Sequence, residues 1–313
     1  MTLSSFINAV FYTVSENKNQ SPTLGIITAL CAYVIWGLFP LFWKHLHSVD
    51  ALELIAHRIV WSFVFVTPIV AVFHGFKEFK SVYTNFRAVI INLLTGLMLS
   101  SNWLIYVWAV NAGHIVESSL GYFIVPLLNA TVGYLILKEH LRVNQWIAIG
   151  IAAIGVFVLV FEYGHLPWVA LGLALTWGMY GLLRKKSTLS PLPGLAIETS
   201  LLAPFAIIFL IWKSHQGLGA LGHSDLTTHI LVFCTGIVTS IPLVLFANAA
   251  KHLKLSTLGL LQYLTPTSNL LLGVFLYNEN FSREKLMSFS LIWIALTLYS
   301  LDSILVNRNQ TKA

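Results

Sequence analysis

Apolar residues follow one another along this chain in stretches about as long as a membrane is thick, separated by short clusters of turn and charged residues. The stretches start near Thr23, Ala51, Ala88, Ile115, Val143, Leu166, Leu192, Leu226, Ser256 and Leu286. The breaks include Lys44 to Asp50, His74 to Arg87, Lys138 to Arg142, Arg184 to Pro193 and Lys213 to Asp225. A helix needs roughly 20 apolar residues to cross a bilayer. Strands of a membrane barrel would alternate in polarity over about 10 residues. The pattern predicts an all-α integral membrane protein of ten transmembrane helices.

A repeat runs through these helices. Pro126, Asn129, Gly133 and Glu139 return 140 positions later as Pro266, Asn269, Gly273 and Glu279, with the spacing P-x2-N-x3-G-x5-E in both copies. Ala29-Leu30 and Trp36-Gly37 answer to Ala170-Leu171 and Trp177-Gly178, and Lys44 to Lys185. Thr95-Gly96, Ser100 and Ala109 answer to Thr235-Gly236, Ser240 and Ala249, and Ser119-Leu120-Gly121 more loosely to Thr257-Leu258-Gly259. A near-constant offset across several helices marks a duplicated unit. Five helices per copy is an odd number, so the second copy enters the membrane from the opposite side. The expectation is two inverted five-helix repeats about an axis in the membrane plane, an arrangement found in transporters. The repeats would span 23–161 and 162–305, with a cytoplasmic leader at 1–22 and a cytoplasmic tail at 306–313.

Composition agrees with this picture: 57% of the residues are hydrophobic and 10% are charged, against about 25% charged in soluble domains. The basic residues fix the orientation. Lys18, Lys77, Lys80, Arg87, Lys138, Arg142, Arg184, Lys185, Lys186, Lys251, Lys254, Arg308 and Lys312 fall on the side of the N-terminus. Only Lys44, Lys213, Arg283 and Lys285 fall on the other, and Arg58 sits inside a helix. Basic loops stay cytoplasmic, so both termini are expected inside. The net charge of +6 then follows from topology and calls for no nucleic acid partner. The partners expected are a small-molecule solute and the lipid bilayer; a monomer is compatible with the sequence, which leaves the oligomeric state open.

In the leader, Leu3, Phe6, Ile7, Val10, Phe11 and Val14 share one helical face. It reads either as an amphipathic helix lying in the interface or as a frayed tail, and it lacks the basic start and cleavage site of a signal peptide. Cys31 and Cys234 form no disulfide framework. Among eleven histidines the only close pair is His45-x-His47. No metal-ligand spacing and no catalytic grouping occurs, so no metal, no cofactor and no enzyme activity is expected.

Polar groups at membrane depth are costly and mark candidate function. Glu53, His57 and Arg58 gather at the outer end of the second helix, and Glu117 opens the fourth, within reach of Arg58. They form either an outer gate or a substrate-carboxylate and proton site, or an ion pair locking the two helices together. Glu198 is the only acidic residue of the seventh helix and is the candidate for proton coupling, unless Lys185 or Lys186 neutralises it. Asp302, near Arg308, reads as a helix-end charge. A second constellation is aromatic and amide-rich: Trp36, Asn102, Trp103, Tyr106, Tyr122, Trp177, Tyr180, Asn248, Gln262 and Tyr263. Aromatic walls with a few hydrogen-bonding groups suit a partly apolar organic solute, whereas Trp61, Trp212 and Trp293 read as interfacial belt residues. Pro126, Pro242 and Pro266 cannot donate a helical hydrogen bond and are expected to kink their helices. Gly133 permits close packing, and Glu139 and Glu279 are expected to anchor turns.

Several segments resemble the RarD-type permeases of the EamA family, in the drug/metabolite transporter superfamily. They are Ala32-Tyr33-x-x-Trp36-Gly37, Glu53-x-x-x-His57-Arg58-x-x-Trp61-Ser62, Trp108-Ala109-Val110-Asn111 and Glu117-x-Ser119-Leu120-Gly121-Tyr122-Phe123. Tyr180-Gly181-x-x-Arg184-Lys185-Lys186 and Gln262-Tyr263-x-x-Pro266-Thr267 belong with them. The resemblance covers roughly residues 23 to 305. It implies a central substrate cavity, a bacterial inner-membrane location and export of amino acids or other small metabolites. On the matching positions it points to Glu53, His57, Arg58, Glu117 and Glu198. Val125 departs from the pattern, since relatives often place a polar Asn before the proline of the fourth helix.

Overall fold

The computed structural model describes residues 22–46, 48–73, 76–111, 115–163, 167–222, 224–276 and 283–310. Regular structure among them is helical, with no strand. The helices are α1 (Pro22–Gly37), α2 (Phe39–Trp43), α3 (Ala51–Phe73), α4 (Lys77–Tyr83), α5 (Phe86–Asn111), α6 (Ile115–Leu135) and α7 (Val143–Tyr163). There follow α8 (Trp168–Lys186), α9 (Pro191–His215), α10 (Leu226–His252), α11 (Leu255–Leu261), α12 (Leu264–Leu271) and α13 (Arg283–Gln310). Each predicted apolar run starts within three residues of a helix start.

Five segments among the described residues are long and apolar enough to cross a membrane: Pro22–Trp43, Ala51–Val72, Phe86–Ala109, Pro191–His215 and Leu226–His252. Gly121–Leu135, Val143–Val158 and Leu286–Asp302 are apolar but shorter. Helix α8 is in neither set, because glycines, aromatic rings and its closing Arg184-Lys185-Lys186 dilute its hydropathy. The leader and Glu279 lie outside the described residues.

Local chemistry sets several of the ends. Asp50 Oδ1 accepts the backbone N–H of Leu52 and Glu53 at 3.0 and 3.2 Å and so caps α3. Asp225 does the same for α10 through Thr228 at 3.2 Å, and Pro191 opens α9 where no N–H is needed. Pro126 and Pro242 do not interrupt their helices; α6 and α10 run through them. The helix breaks only ahead of Pro266, at Gln262–Tyr263, between α11 and α12. There the carbonyl of Gln262, which Pro266 cannot engage, accepts the N–H of Thr265 at 3.0 Å. Freed backbone groups in an apolar surround need such a replacement.

The helices pack in an interlocked order. α1 lies against α10, α11 and α12; α8 lies against α5 and α6. α3 lies against α9 and α10; α9 also touches α5. α6 meets α11, and α7 meets α13. The main core draws on α1, α3, α5, α6, α8, α9, α10 and α11, and small residues such as Ala29, Ala32, Ala249 and Ala250 bring the backbones close. Among the described glycines the closest approach to another helix's backbone is at Gly236 of α10, where an added Cβ would overlap the backbone of Trp61 in α3. Gly236→Ala should therefore destabilise the protein by about 1–3 kcal/mol through overpacking. Gly150→Ala, with nothing within 4 Å, is the control. Thermal unfolding of both variants in detergent checks this, and equal midpoints would contradict it.

Candidate functional site

Two repeat mates meet at the main core. Trp36 of α1 and Trp177 of α8 pack edge to face with ring centroids 5.0 Å apart. Phe246 of α10 lies 5.7 Å from Trp36 and 5.1 Å from Trp177. Tyr33 and Tyr180 complete the cluster at 5.8 Å from Trp36 and 5.6 Å from Trp177. Aromatic pairs at such separations contribute about 0.5–1.5 kcal/mol each beyond the area they bury, so this cluster closes firmly. Its polar rims are bonded: Trp177 Nε1 donates to Gln262 Oε1 at 3.2 Å, and the Tyr33 hydroxyl donates to the Leu258 carbonyl at 2.9 Å.

Beyond Tyr180 stands a buried ion pair. Arg184 Nη1 lies 3.3 Å from Glu198 Oε1, with both side chains 1% exposed. Arg184 Nη2 donates to the Pro191 carbonyl at 3.1 Å. Thr95 and Tyr180 also face the Glu198 carboxyl. Arg184 Nε and Glu198 Oε2 have no hydrogen-bond partner among the described residues. Gly194, one helical turn before Glu198, makes room for the guanidinium, and a Cβ there would overlap Arg184 Nη1. The partner of Glu198 is thus Arg184, not Lys185 or Lys186. Lys185 instead donates to the carbonyls of Leu253 and Ala250 and stands 3.9 Å from Glu139.

The group on α3 divides in two. Glu53 Oε2 pairs with Lys213 Nζ at 3.2 Å, and its Oε1 accepts the Ala220 N–H at 2.5 Å. Lys213 also holds Asp50 at 3.0 Å. Burial alone would raise the Asp50 pKa, but the Lys213 ammonium and the capped N–H groups outweigh it and hold the carboxyl below its usual range. His57 Nε2 stands 3.6 Å from Glu53, and neither ring nitrogen has a hydrogen bond among the described residues. Glu53 therefore ties α3 to the chain beyond α9.

Arg58 points elsewhere. Its guanidinium lies over the ring of Trp103, 3.9 Å from the centroid, and 4.8 Å from that of Trp43. Its Nε donates to Thr239 Oγ1 at 3.0 Å. Tyr106 and Tyr122 face it, with their rings 5.8 Å apart. The side chain of Glu117, the expected partner of Arg58, lies outside the described residues.

Other expected site residues are spent on packing. Asn102 Nδ2 donates to the Leu173 carbonyl and Thr176 Oγ1, at 2.9 and 3.0 Å, and ties α5 to α8. The Tyr263 hydroxyl donates to the Phe123 carbonyl at 3.1 Å in a separate core with Phe289. Asn248 Oδ1 is buried without a partner among the described residues, as are both amide atoms of Asn129 and Oδ1 of Asn269. Glu139 is more than a turn anchor: it accepts the N–H of Leu255 and Ser256 at 2.6 and 3.2 Å and the Ser256 hydroxyl at 2.8 Å. Gly133 leaves the space its carboxylate fills. Asp302 pairs with Arg142 and Asn144 of a distant segment, at 2.5 and 3.0 Å. Trp61 packs against Phe233 with ring centroids 4.1 Å apart, between α3 and α10. Sequence reasoning missed Arg184, Trp43, Thr239, Lys213 and Phe246.

A model of the EamA-like transporter family matches residues 23–161 and again 167–301. The chain belongs to the EamA-like transporter family. An uncharacterized transporter of Pseudomonas aeruginosa, PA0485, is 43% identical over 89% of this chain and 94% of its own. Protein RarD of Escherichia coli is 38% identical over 92% of this chain and 97% of its own. A second Pseudomonas aeruginosa relative, called chloramphenicol-sensitive protein RarD, is 28% identical over 92% and 97%. A solved crystal structure described simply as that of a protein shares the fold, with a TM-score of 0.66 at 18% identity over 88% of this chain and 97% of that one. This EamA-like protein is a multi-pass membrane transporter of the drug/metabolite kind.

Proposed function

We propose that this protein is a secondary transporter that exports small organic metabolites, such as amino acids or amphipathic drug-like solutes, by alternating access. It spans a bacterial inner membrane ten times, as two inverted halves at 23–161 and 162–305, with leader and tail in the cytoplasm. The observation that carries this reading is the contact between repeat mates Trp36 and Trp177.

The packing order supports inversion. Exchanging the halves turns α1 on α10 into α8 on α5, α1 on α12 into α8 on α6, and α3 on α10 into α9 on α5. Gly37 fits against Ser268, and its mate Gly178 fits against Leu128, the mate of Ser268. Two arrangements of one packing scheme, related by exchange of halves, are what alternating access requires.

The aromatic cluster and the Arg184–Glu198 pair form a closed inner gate, with Arg58 and its rings on the opposite side. Opening the inner gate parts Arg184 from Glu198, and the freed carboxyl takes up a proton. Coupling then follows by linkage, since the proton binds one arrangement and not the other. In liposomes, flux through the unaltered protein is expected to respond to an imposed pH gradient, and flux through Glu198→Gln to ignore it. An unaltered protein that follows solute gradients alone would remove the coupling and leave a facilitator or exchanger.

A further inference from the structure

We infer that His57 is a second proton site, and that a proton bound there unlatches the segment between α9 and α10 from α3. This deepens the transport reading above and rests on it, since that reading puts the segment at the outer mouth.

One carboxylate holds the segment. Between α9 and α10 the chain turns through Gly217 and Gly222, both at positive φ, 70° and 92°. Ala220 lies between them and packs with Leu46, Val49 and Val232. Its N–H donates to Glu53 Oε1 at 2.5 Å, while Lys213 Nζ stands 3.2 Å from Oε2. His57, one helical turn after Glu53, brings Nε2 to 3.6 Å from that same Oε1. The two side chains are 2% and 3% exposed, so water does little to screen the pair.

Oε1 is therefore contested. At 3.6 Å a neutral imidazole makes no hydrogen bond to it. Imidazole is the side chain that gains a charge between about pH 8 and 5. Once protonated, His57 attracts the carboxylate, and a charge-assisted bond closes at about 2.8 Å, a shift of roughly 0.8 Å toward α3. The bonds from Ala220 and Lys213, which come from other elements, then lengthen. Other ionisable groups surround the pair. Lys213 comes from α9 and also holds Asp50 at 3.0 Å. Arg58 is the next residue on α3, and Tyr106 of α5 faces it. From α10, His229 Nε2 accepts the Gly222 N–H at 3.2 Å and stands 3.3 Å from the Ala220 carbonyl. Glu117 at the start of α6 is the remaining acidic group of this end.

The repeat gives the site its meaning. His57 and Glu198 stand 141 positions apart at equivalent places in the two halves, and Glu53 answers to Gly194. On the inner side Arg184 fills the room beside Gly194 and pairs with Glu198; its charge is permanent. On the outer side the matching pair is charged on both partners only when a proton is bound. Outer acidity thus acts on the outer latch, as linkage between proton and arrangement requires.

Hydrogen exchange of the full-length protein in lipid nanodiscs, taken as protection relative to the free-chain rate at each pH, reads residues 217–222. Protection should fall by about 10-fold or more from pH 8 to pH 5.5, as loss of one bond to a carboxylate implies. His57→Gln, which takes up no proton, should stay protected at both. Glu53→Gln lacks the charge that draws the imidazolium and should show no pH response either. Glu198→Gln, Glu117→Gln and His229→Gln should respond like the unaltered protein. An unaltered protein without the response, or a response that persists in His57→Gln or Glu53→Gln, overturns the inference. A response lost in Glu117→Gln or His229→Gln overturns it too, by moving the proton to that residue. The response without flux of a labelled amino-acid mixture in liposomes keeps the latch and counts against the transport reading. Flux through a protein whose segment ignores pH keeps transport and removes the latch.

Discussion

Glu198→Ala is expected to lower stability by about 3–5 kcal/mol, the cost of leaving a buried charge without its partner. Arg184 is among the largest fully buried side chains. Among the described residues its guanidinium keeps only the Pro191 carbonyl once the carboxylate is gone. Gly194→Ala should act in the same direction by pushing the guanidinium out of its space. The double variant Arg184→Met with Glu198→Leu should recover most of the loss, because an apolar pair of similar volume needs no compensation. Unfolding of purified protein in mixed micelles measures all three against the unaltered protein. A single variant as stable as the unaltered protein would mean that water reaches the pair, and no recovery in the double variant would mean that shape rather than charge is at stake. This readout is independent of flux, so it separates the pair's structural role from its proposed part in coupling.

The second large effect is expected at Glu139. Its alanine variant loses three bonds to a carboxylate, two of them from backbone N–H groups at the start of α11. Bonds to a charged acceptor are worth about 1.5–3 kcal/mol each when isolated. Water can reach part of this 8% exposed site, so a total of about 2–4 kcal/mol is expected. Glu139→Gln keeps one acceptor and should lose about half of that. Ser256→Ala should lose about 1 kcal/mol. The same unfolding measurement tests the order, and a Gln variant as damaged as the Ala variant would refute it.

The course of the helices was legible because apolar length is a local property. Runs read from the sequence start where helices start, and Pro266 marks the break between α11 and α12. Partners of charged groups were not legible in the same way. Three basic residues close α8, and the sequence alone does not say that the first of them faces inward against Glu198 while Lys185 reaches the Leu253 carbonyl. Asp302 was read as a helix-end charge, and the sequence does not say that Arg142 and Asn144, about 160 residues earlier, bond it. Trp61 was read as a belt residue, and the sequence does not say that Gly236 opposite it draws α10 close enough for its ring to pack against Phe233. The repeat carries a further signal. At its offset of 141, Trp43 stands where Arg184 recurs and His57 where Glu198 does, so the buried ion pair has an aromatic counterpart beside Arg58.

The bonds of Glu139 also bear on how the chain is made. Its acceptors wait for donors that lie 116 and 117 residues further along. During synthesis a chain emerges at about 5–20 residues per second, so this carboxylate enters the bilayer's edge many seconds before α11 exists. The first half must therefore be held in a provisional state, with its carboxylate hydrated, until the second half arrives to claim it. Truncation between the two repeats would leave a nascent product with this group and the apolar faces of α1, α3 and α6 unclaimed, a natural mark for quality-control proteolysis.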